Sequence, residues 1–254
     1  DTAADIAKES ADVILLEKDL TVVADGVVEG RKTYANMMKY IKITASSNFG
    51  NVFSVLAASA FLPFLPMRSV QLVLLNLVYD LSCTAMPWDN VERSSLEKPS
   101  EWDSKSVARF MVRFGPLSSL FDILTYVLLF FVICPAVCGA QFAAISDGAL
   151  KMQFIPLFQT GWFIESMFTQ TLVIYMLRSP HLPVGKNRAS LPVLSLTLCG
   201  IAFLTAVPFT FGSAIGLCPL PAVYFAMLAV IVLSYMLLTT FVKKLYVKRY
   251  GQLI

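Results

Sequence analysis

The sequence predicts an all-α membrane protein, with six transmembrane helices preceded by a small cytosolic α/β remnant at the N-terminus. Three observations predict it. Of 254 residues, 57% are hydrophobic and only 15% charged, where soluble domains average about 25% charged residues. The apolar residues gather into six runs, each near the roughly 20 residues that a helix needs to cross a bilayer. The lysines and arginines between those runs fall almost entirely on one side, the bias that orients helices in a membrane.

Residues 1–25 are soluble in character. Asp1 to Ser10 reads as a short helix with acidic residues in its first turn, where the helix dipole favours them. Val13-Ile14-Leu15-Leu16 is a short apolar run between charged flanks, the pattern of a buried strand. One helix and one strand bury no core, so this piece is expected to complete a domain lying upstream. The missing initiator Met agrees with a fragment. No basic segment precedes an apolar one here, so no cleavable secretory signal is expected. Residues 26–254 form the transmembrane domain. Its first helix carries Arg31, Lys32, Lys39 and Lys42 before turning apolar, as a helix rising from the cytosol into the membrane does.

The spans are expected at about residues 43–62, 69–88, 114–134, 154–177, 191–211 and 221–242. Pro63-Phe64-Leu65-Pro66 makes a short turn, so the first two spans are expected as antiparallel neighbours. One face of the membrane collects Arg31, Lys32, Lys39 and Lys42, then Arg93, Lys98, Lys105, Arg109 and Arg113. To it also belong Arg178, Lys186 and Arg188, and Lys243, Lys244, Lys248 and Arg249. The other face has only Arg68 and Lys151. Both ends are therefore cytosolic, and the spans form three hairpins. Trp88 and Trp102 suit an interfacial belt along the longest cytosolic loop.

Polar residues inside the spans are the candidates for function. An Asp at the centre of a membrane helix costs roughly 2.5–3.5 kcal/mol on translocon scales. Asn76, Tyr79 and Asp80 are spaced i, i+3, i+4 in the second span. In the first span Ser47, Asn48 and Asn51 occur together, with Gly50 permitting close approach of a neighbouring backbone. If these faces converge, amide oxygens and one carboxylate make a hard oxygen site of the kind Mg²⁺ or Ca²⁺ accepts. Asp122 in the third span and Glu165 in the fourth are further candidates for ion or proton work. Against each stands a plainer role as polar glue between helices.

Other chemistries find no support. The five cysteines, Cys83, Cys134, Cys138, Cys199 and Cys218, lack metal-ligand spacing, and His181 is the single histidine. Free thiols are the default, and Cys134 with Cys138 is the pair placed for a disulfide. No phosphate-cradling loop, nucleophile elbow or Ser/His/Asp set is present. The basic residues follow topology, so no nucleic-acid partner is expected.

Several stretches resemble P-type cation pumps. Asn76-Leu77-Val78-Tyr79-Asp80 is similar to the Asn-Leu-Val-Thr-Asp segment of their sixth membrane helix, and Ser46-Ser47-Asn48-Phe49-Gly50-Asn51 to their fifth. The opening, from Thr2-Ala3-Ala4-Asp5 to Val13-Ile14-Leu15-Leu16, resembles the segment after their Gly-Asp-Gly-x-Asn-Asp motif. Ala60-Phe61-Leu62-Pro63-Phe64-Leu65-Pro66-Met67, Pro87-Trp88-Asp89-Asn90-Val91, Gly115-Pro116 with Phe121-Asp122-Ile123, and Gln159-Thr160-Gly161-Trp162-Phe163 look like the bacterial magnesium-transporting members.

This resemblance implies the last six spans of ten, with residues 1–25 closing the phosphorylation domain, which is haloacid-dehalogenase-like. It implies ATP-driven Mg²⁺ import across a bacterial inner membrane, with lipid and the upstream part of the same pump as partners. Ion ligands carry over onto Asn48, Asn51, Asn76, Tyr79 and Asp80. Asn51 stands where the calcium pump has a carboxylate and Tyr79 where it has Thr, so a two-calcium site is not implied. Leu81-Ser82-Cys83 replaces Gly-Leu-Pro after the Asp, which puts the usual unwinding of that helix in doubt. The phosphorylated Asp, the nucleotide-binding domain and their ATP and Mg²⁺ are not among these residues, so this chain alone is expected to be inactive. The competing reading is a free-standing six-span passive cation pathway or structural membrane subunit. The orphaned N-terminal helix and strand argue against it.

Overall fold

A computed structural model describes residues 3–16, 19–181, 188–251 and 253. The helices are α1 (Asp5–Glu9), α2 (Thr21–Phe61), α3 (Ser69–Cys83), α4 (Ser94–Glu97), α5 (Ser104–Leu128), α6 (Cys134–Cys138), α7 (Gly148–Leu177), α8 (Leu191–Ala206) and α9 (Ala222–Tyr250). Among the described residues there is no strand. Val13 and Leu16 lie exposed in irregular chain, a correction to the strand expected there. An apolar tetrapeptide becomes a strand only beside a partner that takes its backbone hydrogen bonds, and no described segment offers one. Asp1, Thr2 and Lys186, used above, lie outside the described residues.

α2 is one unbroken helix of 41 residues, about 60 Å long at 1.5 Å per residue. That is about twice the hydrocarbon thickness of a bilayer, so the basic stalk and the apolar segment are a single rod. Among the described residues, four helical stretches are long and apolar enough to cross a membrane: Ser69–Trp88, Ser104–Cys138, Leu191–Phe209 and Ala222–Tyr250. α2 and α7 carry more polar residues. In α7, Gln159, Thr160, Glu165, Ser166, Thr169 and Gln170 are all buried. The helix is enclosed by α3, α5, α8 and α9, so these groups face protein rather than lipid.

α5 starts well before the expected span, where the Asp103 side chain accepts from the Lys105 amide at 2.9 Å and caps the helix. Its far end passes through one turn of π-helix, Leu129–Ile133, into α6. There an aromatic cluster gathers around Phe64 of the proline turn, whose ring centre lies 5.2 Å from both Phe142 and Phe158. A second apolar cluster, including Ile43, Phe110, Phe114 and Tyr246, fills the basic end.

Between them, α2 and α5 touch backbone to backbone. A Cβ at Gly50 would lie 2.8 Å from the Gly115 carbonyl oxygen and 2.2 Å from Ser118 Oγ. Only glycine permits this crossing.

At the basic end a buried charge cluster ties three segments together. Asp89, in the connection after α3, accepts from Lys39 Nζ of α2 at 2.9 Å and from Arg178 Nε after α7 at 2.9 and 3.0 Å. Asn36 Nδ2 donates to the Pro87 and Asp89 carbonyls, both at 2.9 Å. Burial pushes the Lys39 ammonium below its ordinary value of 10.5, and the facing carboxylate offsets only part of this. Lys243 of α9 donates to the carbonyls of Met176, Ser179 and His181 at 2.8, 3.1 and 3.0 Å. It thereby satisfies the end of α7, where unpaired carbonyls collect negative charge.

Candidate ion site and buried polar core

The expected ligand set is brought together in part. Tyr79 is buried, and its hydroxyl donates to Ser47 Oγ of α2 at 3.2 Å. Asn48, Asn76 and Asp80 are exposed, and Asn51 is half-buried. The face shared by Asn76, Tyr79 and Asp80 is thus divided. At 100° per residue, Asn76 and Asp80 lie about 40° apart around the helix, whereas Tyr79 and Asp80 lie about 100° apart. Tyr79 turns inward and the amide and carboxylate outward. The expected close pairing of the first two spans is also loose: α2 packs chiefly on α5, and α3 on α7 and α8.

Asn48, Asn76 and Asp80 share their exposed faces with apolar residues such as Val52, Val73, Leu77 and Leu81. Each is an oxygen donor set among lipid-type side chains, a surface suited to packing against further helices. Among the described residues no three acidic, histidine or cysteine side chains gather at one point. The expected set therefore comprises neutral amide oxygens, the Tyr79 hydroxyl and one carboxylate, donors that suit a hard, partly hydrated cation and offer nothing to a soft one. A cavity of about 800 Å³ opens elsewhere, at the basic end between Lys39, Lys42, Glu92 and Asp103.

Asp122 and Glu165, unlike these exposed donors, lie inside the bundle. Both are fully buried between α5 and α7. Asp122 takes three donors: Ser54 Oγ of α2 at 2.5 Å, Trp162 Nε1 at 2.9 Å and Ser166 Oγ at 3.4 Å. Glu165 adjoins Asp122, and neither of its oxygens has a partner besides. The Tyr126 hydroxyl and the Gln170 amide are also buried without partners. Sequence reasoning found the two acids but missed Ser54. The spacing of Ser54, three residues after Asn51 and so on the same side of α2, was the available signal. The five cysteines are free thiols, Cys134 and Cys138 included.

Residues 64–245 match the family model described as the C-terminus of cation transporting ATPases. The chain belongs to the cation-transporting ATPases. Across 253 residues it is 49% identical to magnesium-transporting ATPase, P-type 1, of Salmonella typhimurium, covering 99% of this chain and 26% of that protein. It is 47% identical over 252 residues to the protein of the same name in Escherichia coli K12, with the same coverage. A calcium-transporting ATPase of Bacillus subtilis is 27% identical over 133 residues, 52% of this chain and 15% of that protein. The chain thus spans about a quarter of the length of its magnesium-transporting relatives. This P-type ATPase segment is the transmembrane part that the apolar helices describe.

Proposed function

We propose that this chain is the ion-translocating membrane part of an ATP-driven Mg²⁺ import pump of a bacterial inner membrane. The observation that carries the reading is the outward polar face of α2 and α3, where Asn48, Asn76 and Asp80 lie exposed within apolar surface. Exposed to lipid, that face would cost several kcal/mol; covered by the remaining helices of the pump, it becomes one wall of an ion site. Asn48, Asn51, Asn76, Tyr79 and Asp80 supply its oxygens, and the covering helices supply the rest.

Six spans are the reading that suits the bundle. α7 is sealed on all sides by helices that cross, and the apolar half of α2 is locked to α5. Both therefore cross with them. Residues 1–25 belong to the cytosolic phosphorylation domain, and both termini are cytosolic. ATP phosphorylates an Asp of the upstream part, so turnover needs the intact pump.

The test is uptake by the intact pump. Asp80→Ala should abolish Mg²⁺ uptake while the protein reaches the membrane at its normal level. Normal uptake by that variant would overturn the site.

A further inference from the structure

We propose that Asp122 is a positioning residue for the ion site: through Ser54 it holds the turn of α2 that carries Asn51. This rests on the reading of Asn51 as an ion ligand given above.

The turn at residues 50–54 is held by two side chains of α5, Asp122 and Ser119. Ser54 Oγ lies 2.5 Å from Asp122 Oδ2 and 2.9 Å from the Gly50 carbonyl oxygen. Ser119 of α5 donates to that same carbonyl at 2.9 Å. The other Asp122 oxygen accepts from Trp162 and Ser166 of α7, so the tie runs from α2 through α5 into the centre of the bundle. Asn51 sits inside this turn, half-buried, while Ser54 and Asp122 are 0% and 1% exposed. Asn51 lies at the margin of the buried face and its anchor lies within it. The glycine crossing beneath leaves no slack, so the hydrogen bonds decide where along and around α5 the turn rests.

Asp122 itself is poorly placed to hold the ion. Its two oxygens already serve three protein donors, which uses most of a carboxylate's accepting capacity. An amide keeps the geometry. In Asp122→Asn, the amide oxygen accepts from Trp162, and its NH₂ donates to Ser54 Oγ while Ser54 donates to Gly50.

The experiment uses the intact pump and Mg²⁺-dependent ATP hydrolysis. Asp122→Ala should raise the Mg²⁺ concentration for half-maximal activity about tenfold, the usual scale for losing a group that orients a metal ligand. The maximal rate at saturating Mg²⁺ should change little. Ser54→Ala should give the same shift, the double variant should be no worse than either single one, and Asp122→Asn should restore most of the affinity. If Asp122→Asn is as impaired as Asp122→Ala, the charge acts on the ion directly and the proposal fails. If Ser54→Ala is silent, or its effect adds to that of Asp122→Ala, the tie is not the route and the proposal also fails. Should Asp122→Ala not reach the membrane, Ser54→Ala alone decides by the same criterion. Failure of the Asp80→Ala test would instead remove the ion-site reading, whatever Ser54 and Asp122 do.

Discussion

Tyr79 and Asp80 are consecutive in the chain and meet opposite surroundings. The tyrosine hydroxyl reaches across to Ser47, while the aspartate faces out of the bundle beside Leu77 and Leu81. The sequence made both residues conspicuous, because polar groups in an apolar run are few. It did not say which of them turn inward. The i, i+3, i+4 rule marks a stripe more than 100° wide, and a helix boundary can fall inside such a stripe. Gly50 teaches the converse. Its need for close approach was legible from the residue type, but its partner Gly115, 65 residues away, was not. A methyl group at position 50 meets a backbone oxygen that cannot rotate aside. Gly50→Ala should therefore destabilise the protein by about 1–3 kcal/mol through overpacking, read as a lower thermal midpoint in detergent. Gly26→Ala is the control, since nothing lies near its added carbon.

At the scale of elements, some helix starts were legible to within a residue, while α5 begins at Ser104, well before its expected span near 114. α8 and α9 begin at Leu191 and Ala222, against expected starts near 191 and 221. The expected strand at 13–16 was not found, because strands depend on neighbours that periodicity cannot supply. The connections were the least legible. Lys39 and Arg178 entered the sequence argument only as topology markers, yet both are buried on Asp89. Asp89→Ala would strand two buried cations and should cost about 3–5 kcal/mol, more than Lys39→Met, which leaves Asp89 paired with Arg178. Thermal unfolding of the two variants checks the order. Lys39 also has a pH signature. Its folded-state pKa lies below the unfolded value, so the unfolded chain binds the extra proton between the two. Stability therefore rises with pH through that window, up to the ordinary lysine value of 10.5. The rise should be smaller in Lys39→Met, measured as thermal midpoint against alkaline pH.

For the whole molecule, the distribution of basic residues specifies an arrangement that labelling can test. A single cysteine at position 152, beside Lys151, should react with a membrane-impermeant thiol reagent applied to intact spheroplasts. One at position 98 or 248 should react only after permeabilisation. Reaction of position 248 from outside would break the three-hairpin topology. Charge alone proposes that topology, whereas it gives no sign of the pairing of α2 with α5 rather than α3: chain order suggests which helices are joined, and surface shape decides which ones fit. The unbroken α2 rod then has a mechanical consequence. Pinned at Gly50, it is a lever with unequal arms, roughly 44 Å toward Thr21 and about 17 Å toward Phe61 at 1.5 Å per residue. A tilt that swings the Thr21 tip by about 5 Å moves the Phe61 tip by about 2 Å the other way. Asn51, one residue from the fulcrum, hardly travels at all; it rotates.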